Sequence, residues 1–331
     1  MFDILKKLVA TVAPSGSENL LYDMVKAEIE PYVDEIYTDN LGSLIAHKKG
    51  EGEKVMFSAH LDEIGLICTY ITDEGFLKVS NIGGVSPYYA VASKVRFTNG
   101  VIGVVNVEHT GDNTMKNLKI SDLFVDIGAS SKAEAEEKVS VGDTAGFVGD
   151  FYDMGDMLVS KSMDDRAGVA VLISAIRKIQ DNKNDLYFVF SYGEELGLRG
   201  AKTSAFKIRP DYAVAVDVTR TGDSLSNLKM AVKLGDGAAV KIKDASVLCH
   251  PYMKNLMMET AKKYNIPYQV EVLEQGGTDA GAIQLTAEGA ITGAISIPTR
   301  YIHSPSEMVN KNDLLACRDL LVKLISEGFA K

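Results

Sequence analysis

The sequence predicts an α/β fold in which a β-rich insert interrupts a single mixed-sheet domain. Three observations support this prediction: helical and strand patterns alternate before residue 66, short β-prone runs broken by glycine follow, and the alternation resumes at Asp165. A chain of 331 residues is also long enough for about two domains. We therefore predict an α/β/α domain made of residues 1–66 and 163–331, with an inserted small β-barrel or sandwich at 67–162.

The first segment, residues 1–66, has the pattern of two helices followed by three strands. Pro14 and Gly16 separate the two helices, since neither residue continues a helix well. The short apolar run at 55–59 is typical of a strand buried on both faces of a sheet. The predicted helices are 3–12 and 17–29, and the predicted strands are 35–38, 43–48 and 55–59.

The insert, residues 67–162, has a different pattern. Its β-prone runs at 94–97 and 101–107 are punctuated by glycine, one modest helix is expected at 132–139, and three Gly-Asp pairs indicate turns. Because the insert contains no ligand motif of its own, we expect it to mediate contacts between subunits rather than chemistry.

From Asp165 onward, helices and strands alternate again, so we assign this segment to the same domain as the first. Apolar residues at helical spacing mark its helices, and short apolar runs mark its strands. The predicted helices are 166–179, 251–264 and 313–329, and the predicted strands are 186–191, 212–216 and 291–297.

Charge and cysteine content exclude several classes of protein. The 45 acidic residues outnumber the 35 Lys and Arg residues, and the net charge of −10 has the wrong sign for a nucleic-acid binder. The three cysteines lack C-x-x-C spacing, which favours a reducing compartment and excludes a zinc ribbon. No apolar run approaches the ~18 residues that a membrane span requires. We expect a soluble, cytoplasmic protein that binds neither nucleic acid nor a membrane.

Five short clusters place an acid or a histidine at the end of a predicted strand or the start of a helix. Each cluster alone has an ordinary explanation, such as a helix N-cap or a solvated turn. Together they converge on the carboxyl edge of one sheet, where open α/β sheets bind their ligands. The clusters contain His60 and Asp62, Asp164 and Asp165, Glu194 and Glu195, Asp217, and His303.

This mixture of histidines and carboxylates favours zinc, cobalt or manganese over calcium or magnesium, whose sites usually contain only oxygen ligands. Five ligands are too few for two separate closed sites. They are enough for two cations that share a bridging carboxylate and leave positions open for water. A pair of cations ~3.5–4 Å apart is a hydrolytic arrangement.

Six segments, spread in order over essentially the whole chain, together match the motifs of a known family. The sequence resembles the TET-type dinuclear metallo-aminopeptidases, described as glutamyl, leucyl or lysyl aminopeptidases and in part labelled "cellulase M". The six segments are Ala59-His60-Leu61-Asp62-Glu63-Ile64-Gly65, Ser160-Lys161-Ser162-Met163-Asp164-Asp165-Arg166, Glu194-Glu195-Leu196-Gly197-Leu198-Arg199-Gly200, Val216-Asp217-Val218-Thr219, Gly276-Gly277-Thr278-Asp279-Ala280 and Arg300-Tyr301-Ile302-His303-Ser304-Pro305.

The resemblance implies a ligand set for two divalent cations per subunit, with zinc favoured and cobalt or manganese as alternatives. His60 and His303 would each be a terminal ligand of one cation, and Asp164 would bridge both. Glu195 and Asp217 would complete the two coordination spheres.

The resemblance also implies how water and peptide are handled. Glu194 would be the general base that takes a proton from a water shared by the two cations, and Asp62 would orient the imidazole of His60. A cis peptide bond is implied between Asp164 and Asp165. The expected lining of the substrate pocket is the loop of Gly276, Gly277, Thr278 and Asp279. The sequence departs from the family pattern at Tyr192-Gly193, where a glutamine commonly precedes the two glutamates.

The implied partners are peptides with a free N-terminus and further copies of this chain, paired through the insert and assembled into a tetrahedral dodecamer. A glycoside hydrolase of the endoglucanase type is the alternative, suggested by the paired carboxylates and the family label. It needs no histidine ligands, and sugar-stacking aromatic residues are scarce here, with no tryptophan at all. A non-catalytic assembly protein with a degenerate metal site is a second alternative, which the complete ligand set disfavours.

Overall fold

The computed structural model describes residues 1–108, 114–225 and 229–330. Within these residues the chain forms seventeen strands and nine α-helices. In chain order the strands are β1 (Glu35–Thr38), β2 (Leu44–Lys48), β3 (Lys54–His60), β4 (Gly65–Ile71), β5 (Leu77–Ile82), β6 (Lys94–Phe97), β7 (Ile102–Val107), β8 (Leu123–Asp126), β9 (Thr144–Phe147), β10 (Tyr152–Met154), β11 (Met157–Ser160), β12 (Asp185–Ser191), β13 (Tyr212–Thr219), β14 (Ala238–Lys243), β15 (Tyr268–Val272), β16 (Ile291–Arg300) and β17 (Glu307–Asn310). The α-helices are α1 (Phe2–Ala10), α2 (Tyr22–Ile29), α3 (Pro87–Ala90), α4 (Lys132–Glu136), α5 (Met163–Ile176), α6 (Arg199–Ile208), α7 (Pro251–Lys263), α8 (Asp279–Ile283) and α9 (Lys311–Glu327).

Eleven of the strands form one mixed sheet. Its main path runs β1-β2-β12-β3-β13-β16-β17-β11-β10, and β14 and β15 extend it from β16. The four central strands β12, β3, β13 and β16 run parallel to one another. On either side of them, β2 pairs with β12 and β17 pairs with β16, both in the antiparallel direction. The carboxyl ends of the four central strands therefore lie along one edge of the sheet.

Helices cover both faces of this sheet, as predicted. Successive side chains of a strand point to opposite faces, so Val55 and Phe57 of β3 pack into one core, whereas Met56 packs into another. The first core also contains residues of α1, α2, α5, α7 and α9, and the second contains residues of α6 and α8. The α/β/α layering is confirmed.

The insert is a closed antiparallel barrel of six strands in the order β4-β5-β8-β7-β6-β9. Inward-facing residues such as Leu66, Val79, Phe97, Val105 and Val125 form its own buried core. Closure leaves the barrel without a free edge among these strands. Of the two predicted forms, barrel or sandwich, the structure is the barrel.

The chain returns to the large sheet earlier than the predicted boundary at residue 162. The last barrel strand ends at Phe147, and β11 pairs with β17 of the large sheet, with Met157 opposite Asn310. This pairing joins segments about 150 residues apart, so no local pattern reveals it. The division into two domains stays a prediction, but the pairing favours a boundary near Gly149.

Several elements differ from the sequence-based prediction. The predicted helix 17–29 begins as a 3-10 turn, Glu18–Leu21, because the carboxylate of Glu18 turns inward and accepts the backbone N–H groups of Gly16 and Gly193, each at 2.9 Å. The helices α6 and α8 and the strands β14, β15 and β17 had no predicted counterpart. Among the described residues, no helix combines the length and apolarity that a membrane crossing demands.

Candidate metal-binding active site

The predicted ligands meet at the carboxyl edge of the four central strands. His60 ends β3, Glu194 and Glu195 follow β12, Asp217 lies near the end of β13, and His303 follows β16. The strands are parallel and directly adjacent, so residues that are far apart in sequence come together here. The start of α5 contributes Asp164 to the same place.

Two groups of possible metal donors lie in this edge, and they share one residue. In the first group, the Nε2 atom of His60 lies 3.0 Å from Oδ1 of Asp164 and 3.9 Å from Oδ1 of Asp217. In the second, Nε2 of His303 lies 3.3 Å from Oδ2 of Asp164 and 3.2 Å from Oε1 of Glu195. Within each group all donor atoms are within 4.8 Å of one another. The two oxygens of Asp164 thus face different histidines.

Each of the two histidines has its second ring nitrogen held by an acceptor. Nδ1 of His60 lies 3.3 Å from the Asp62 carboxylate and 3.1 Å from the Asp62 carbonyl oxygen, and Nδ1 of His303 lies 3.0 Å from the carbonyl oxygen of Gly84. A carbonyl can only accept, so we assign the proton to Nδ1 in both rings. Nε2 is therefore the ring nitrogen that faces the donor group and is free to bind a cation once its proton is lost, the orientation that histidine ligands of metals usually have.

Asp62 connects His60 to the two glutamates. Its Oδ1 atom accepts the backbone N–H of Glu194 at 3.0 Å, and its Oδ2 atom accepts the backbone N–H of Glu195 at 3.1 Å and the hydroxyl of Ser15 at 2.7 Å. Burial alone would raise the pKa of Asp62, but the hydrogen bond and charge of His60, together with the hydrogen bonds from Ser15 and the Glu194 N–H, outweigh burial and lower the pKa. An ionised Asp62 therefore fixes both the imidazole and the start of the glutamate loop.

Carboxylates outnumber imidazoles in the site, and their pKa values reflect this. Burial, together with the charges of neighbouring carboxylates, raises the pKa of Asp217 to about 8 and that of Glu194 well above its usual value. Burial lowers the pKa of His303, but its hydrogen bonds to Asp164 and Glu195 outweigh this and raise it to about 11. Several carboxylates therefore lie close enough together to repel one another when ionised. A divalent cation bound between them would offset this repulsion.

The peptide bond between Asp164 and Asp165 is cis, as the resemblance implies. Asp165 belongs to neither donor group. Its Oδ2 atom accepts the backbone N–H of His60 at 3.1 Å, and its Oδ1 atom accepts that of Gly168 at 3.0 Å. Adjacent aspartates thus face opposite ways, one toward the donor groups and one toward the end of β3.

The four residues predicted to line the substrate pocket divide into two pairs. Gly276 and Gly277 line a cavity of about 340 Å³ that also contains both donor groups. Thr278 and Asp279 are buried behind it, where Oδ2 of Asp279 accepts the hydroxyl groups of Ser58 and Ser191. Asp279 therefore links β3 and β12 through the serine hydroxyl groups of these two strands.

Sequence reasoning missed Glu307, which holds two of the donor residues by their backbones. This buried carboxylate accepts the N–H of His303 at 2.7 Å and the N–H of Asp164 at 2.9 Å. Burial and the charge of Asp164 raise its pKa to about 8. In the sequence it follows Ser304-Pro305-Ser306, which has the pattern of an exposed turn, so no local signal distinguishes it.

A buried ion pair supports the segment before Asp164, and it was also missed. Nζ of Lys161 lies 2.5 Å from Oε2 of Glu63, and both side chains are almost fully buried. The other oxygen of Glu63 accepts the backbone N–H of Ala13 at 2.7 Å, and Ser162 also donates to Glu63. The pair therefore ties the α1–α2 loop to the chain that leads into α5.

Comparison with known proteins supplies independent information. The M42 glutamyl aminopeptidase family matches residues 42–320. A relative from Acetivibrio thermocellus is 51% identical over 325 residues and covers 98% of both chains. The solved structure of the TET1 peptidase of Pyrococcus horikoshii, described as assembling into a tetrahedron or a large octahedral shell, is similar with a TM-score of 0.88, 33% identity and coverage of 98% of both chains.

One similar structure carries a different name. A Thermotoga maritima protein called an endoglucanase matches with a TM-score of 0.83 and 32% identity, and the match covers 98% of this chain and 97% of that one. The fold and the degree of identity are close to those of the TET1 peptidase, so this name by itself does not favour sugar chemistry.

Proposed function

Because the chain belongs to the M42 glutamyl aminopeptidase family, we propose that it is an aminopeptidase whose catalysis depends on two divalent cations held around Asp164. The observation that carries the proposal is that Asp164 belongs to both donor groups, with one oxygen facing His60 and the other facing His303. A bridging carboxylate of this kind is the usual way to hold two cations close together in hydrolases.

The donor set fits two such cations. His60, Asp164 and Asp217 would hold one, and Asp164, Glu195 and His303 would hold the other. One imidazole with two carboxylates suits zinc best, and cobalt or manganese also accept this set. When bound, the two cations would polarise the scissile carbonyl and lower the pKa of a water molecule.

Glu194 is the general base in this proposal. It belongs to neither donor group, yet its Oε2 atom lies 3.9 Å from Nε2 of His60 and it lines the cavity. From this position its carboxylate takes the proton of the attacking water and passes it to the leaving amine. Asp62 contributes by holding the backbone N–H of Glu194, so the carboxylate reaches the water from a fixed direction.

The cavity suits the first residue of a peptide. Its volume of about 340 Å³ accommodates one side chain, and Leu198, Val218, Leu273 and Ile302 form apolar walls. The carboxylates at its floor attract the positively charged α-amino group, which places the first peptide bond beside Glu194. We therefore infer that substrates are peptides with a free N-terminus.

The first test compares three substrates. We expect the chain loaded with zinc, cobalt or manganese to hydrolyse leucyl-p-nitroanilide, but neither its N-acetylated form nor carboxymethyl-cellulose. Removal of metal with a chelator should abolish the release of nitroaniline, and added cation should restore it. Release of sugar from the cellulose would favour the glycoside hydrolase alternative, and full peptidase activity in the metal-free chain would contradict the proposed centre.

The assembly of the chain is a further part of the proposal. The similarity to a peptidase that forms closed shells supports a homo-oligomer, with a tetrahedral dodecamer built from dimers as the expected form. Light scattering of the native protein should give a mass near twelve times the chain mass of 35.8 kDa. A monomer at micromolar concentration would contradict this assembly.

A cytoplasmic location is also proposed, because the three buried cysteines are free and fit a reducing compartment.

A further inference from the structure

The backbone of the inserted barrel enters the catalytic site at two consecutive glycines, Gly83 and Gly84. We propose that the barrel is a positioning element of the catalytic centre, which uses this backbone to orient His303 and Glu195 toward one of the two cations. The inference rests on the proposed metal centre. It gives the insert a role in chemistry, although the insert contributes no ligand side chain.

The contact between the barrel and His303 is direct. Gly84 follows β5, and its carbonyl oxygen accepts the Nδ1–H of His303 at 3.0 Å. A Cβ atom on Gly84 would lie 2.6 Å from Nδ1 and 2.7 Å from Cε1 of the same ring, which is closer than non-bonded atoms approach. Glycine is therefore required at position 84 because the imidazole packs against the main chain itself.

The neighbouring glycine contacts the other terminal ligand of the same donor group. A Cβ atom on Gly83 would lie 2.8 Å from Oε2 and 3.0 Å from Cβ of Glu195, and the φ angle of Gly83 is +70°. Two adjacent glycines thus face the two residues that, with Asp164, form the second group. The barrel loop closes one side of that group.

Within residues 1–108, 114–225 and 229–330, the histidine of the first donor group is held without the barrel. This histidine, His60, is held by Asp62, which follows β3 of the large sheet, and the other members of the group come from α5 and β13. The two groups therefore differ in which part of the chain holds their histidine. Among the residues that the structure describes, the barrel supplies the acceptor that fixes the imidazole in the group containing His303 and not in the other.

Contacts within the barrel hold the glycine loop in place. The side-chain amide of Asn81 donates to the carbonyl oxygen of Gly83 at 2.7 Å, and the backbone N–H of Val85 is directed at the same oxygen at 3.1 Å. Val85 is buried in the barrel core. The position of the loop, and with it the Gly84 carbonyl, follows the position of the barrel.

This arrangement predicts a selective effect on metal binding. An acceptor on the second ring nitrogen fixes the tautomer and direction of a ligand histidine, and its loss typically costs 10–100-fold in metal affinity. Disturbing the Gly84 carbonyl should therefore weaken the cation held by His303 and Glu195 by at least about tenfold. The cation held by His60 and Asp217 should keep its affinity.

The test is a calorimetric titration of the metal-free chain with Co²⁺, with visible absorption as a second readout of coordination. Gly84→Ala displaces the imidazole directly. Asn81→Ala removes one exposed hydrogen bond that holds the loop and leaves all ligands in place, so it should weaken only the second cobalt, by about threefold or more. Asn99→Ala is the matched control: this exposed barrel amide donates to the Lys138 carbonyl at 2.9 Å, away from the site, and should leave both affinities unchanged.

The outcomes separate this inference from the proposed function. Two cobalt ions in the wild-type chain, with one selectively weakened in Gly84→Ala and Asn81→Ala, support the inference. Two ions bound equally well by the wild type and both variants overturn it and leave the proposed metal centre intact. A wild-type chain that binds no cobalt overturns both. If Gly84→Ala does not yield a folded chain by circular dichroism, Asn81→Ala and its control decide the question.

Discussion

Replacing Glu194 by glutamine is expected to lower kcat by about 10²-fold or more while the chain keeps both cations. The amide has nearly the same shape as the carboxylate, but it cannot accept the proton of the attacking water. Metal content should survive because Glu194 lies outside both donor groups. The measurement is kcat for leucyl-p-nitroanilide together with the number of cations per chain.

The neighbouring residue provides the control. Glu195→Gln changes the same chemical group one position away, but Glu195 is a member of the second donor group with Oε1 3.2 Å from Nε2 of His303. We expect this variant to lose the second cation. If Glu194→Gln loses metal and Glu195→Gln retains it, the two glutamates have the opposite roles.

Replacing Asp164 by alanine should have the largest effect, with loss of both cations and a fall in activity of about 10³-fold or more. Its two oxygens are the only carboxylate atoms that the described part of the chain presents to both groups, so one substitution removes a ligand from each. The stabilisation that bound cations give to a hydrolytic transition state is several kcal/mol, which corresponds to such a factor. Metal analysis and kcat are measured on the same sample.

Asp217→Ala is the matched comparison, because Asp217 belongs to the first group only. It should lose one cation and keep the one held by His303. A chain with Asp164→Ala that still binds one cation as tightly as the wild type would show that Asp164 does not bridge the two.

The residues that could be predicted from the sequence share a local signature. His60 and Asp217 each lie at the end of an apolar strand, and strands of this kind can be recognised from a few neighbouring residues. Parallel strand order then brings their ends together without further information. The predicted ligand positions thus depend on local patterns and on one general property of α/β sheets.

The residues that support the site could not be predicted in this way. Glu307 acts through the backbone N–H groups of His303, which follows β16, and of Asp164 in α5, and Gly84 acts through its own carbonyl. In the sequence the first resembles a turn and the second is half of a Gly-Gly pair of the kind found in many turns. Their roles arise from contacts between segments far apart in the chain, which composition and periodicity do not encode.

The position of β16 in the sheet determines when, during synthesis of the chain, the site can be completed. This strand lies between β13 and β17 in the middle of the sheet, and His303 follows it, so one half of the site is supplied by a segment that the ribosome synthesises long after β3 and His60. Contacts between such distant segments form slowly, because the intervening loop must first be closed. A nascent chain therefore displays β3, β12 and β13 without the residues that complete the cleft. With His303 as a metal ligand, as we propose, proteolytic activity is expected only after the late strand has been added, so a partly synthesised chain should not cleave the peptides around it.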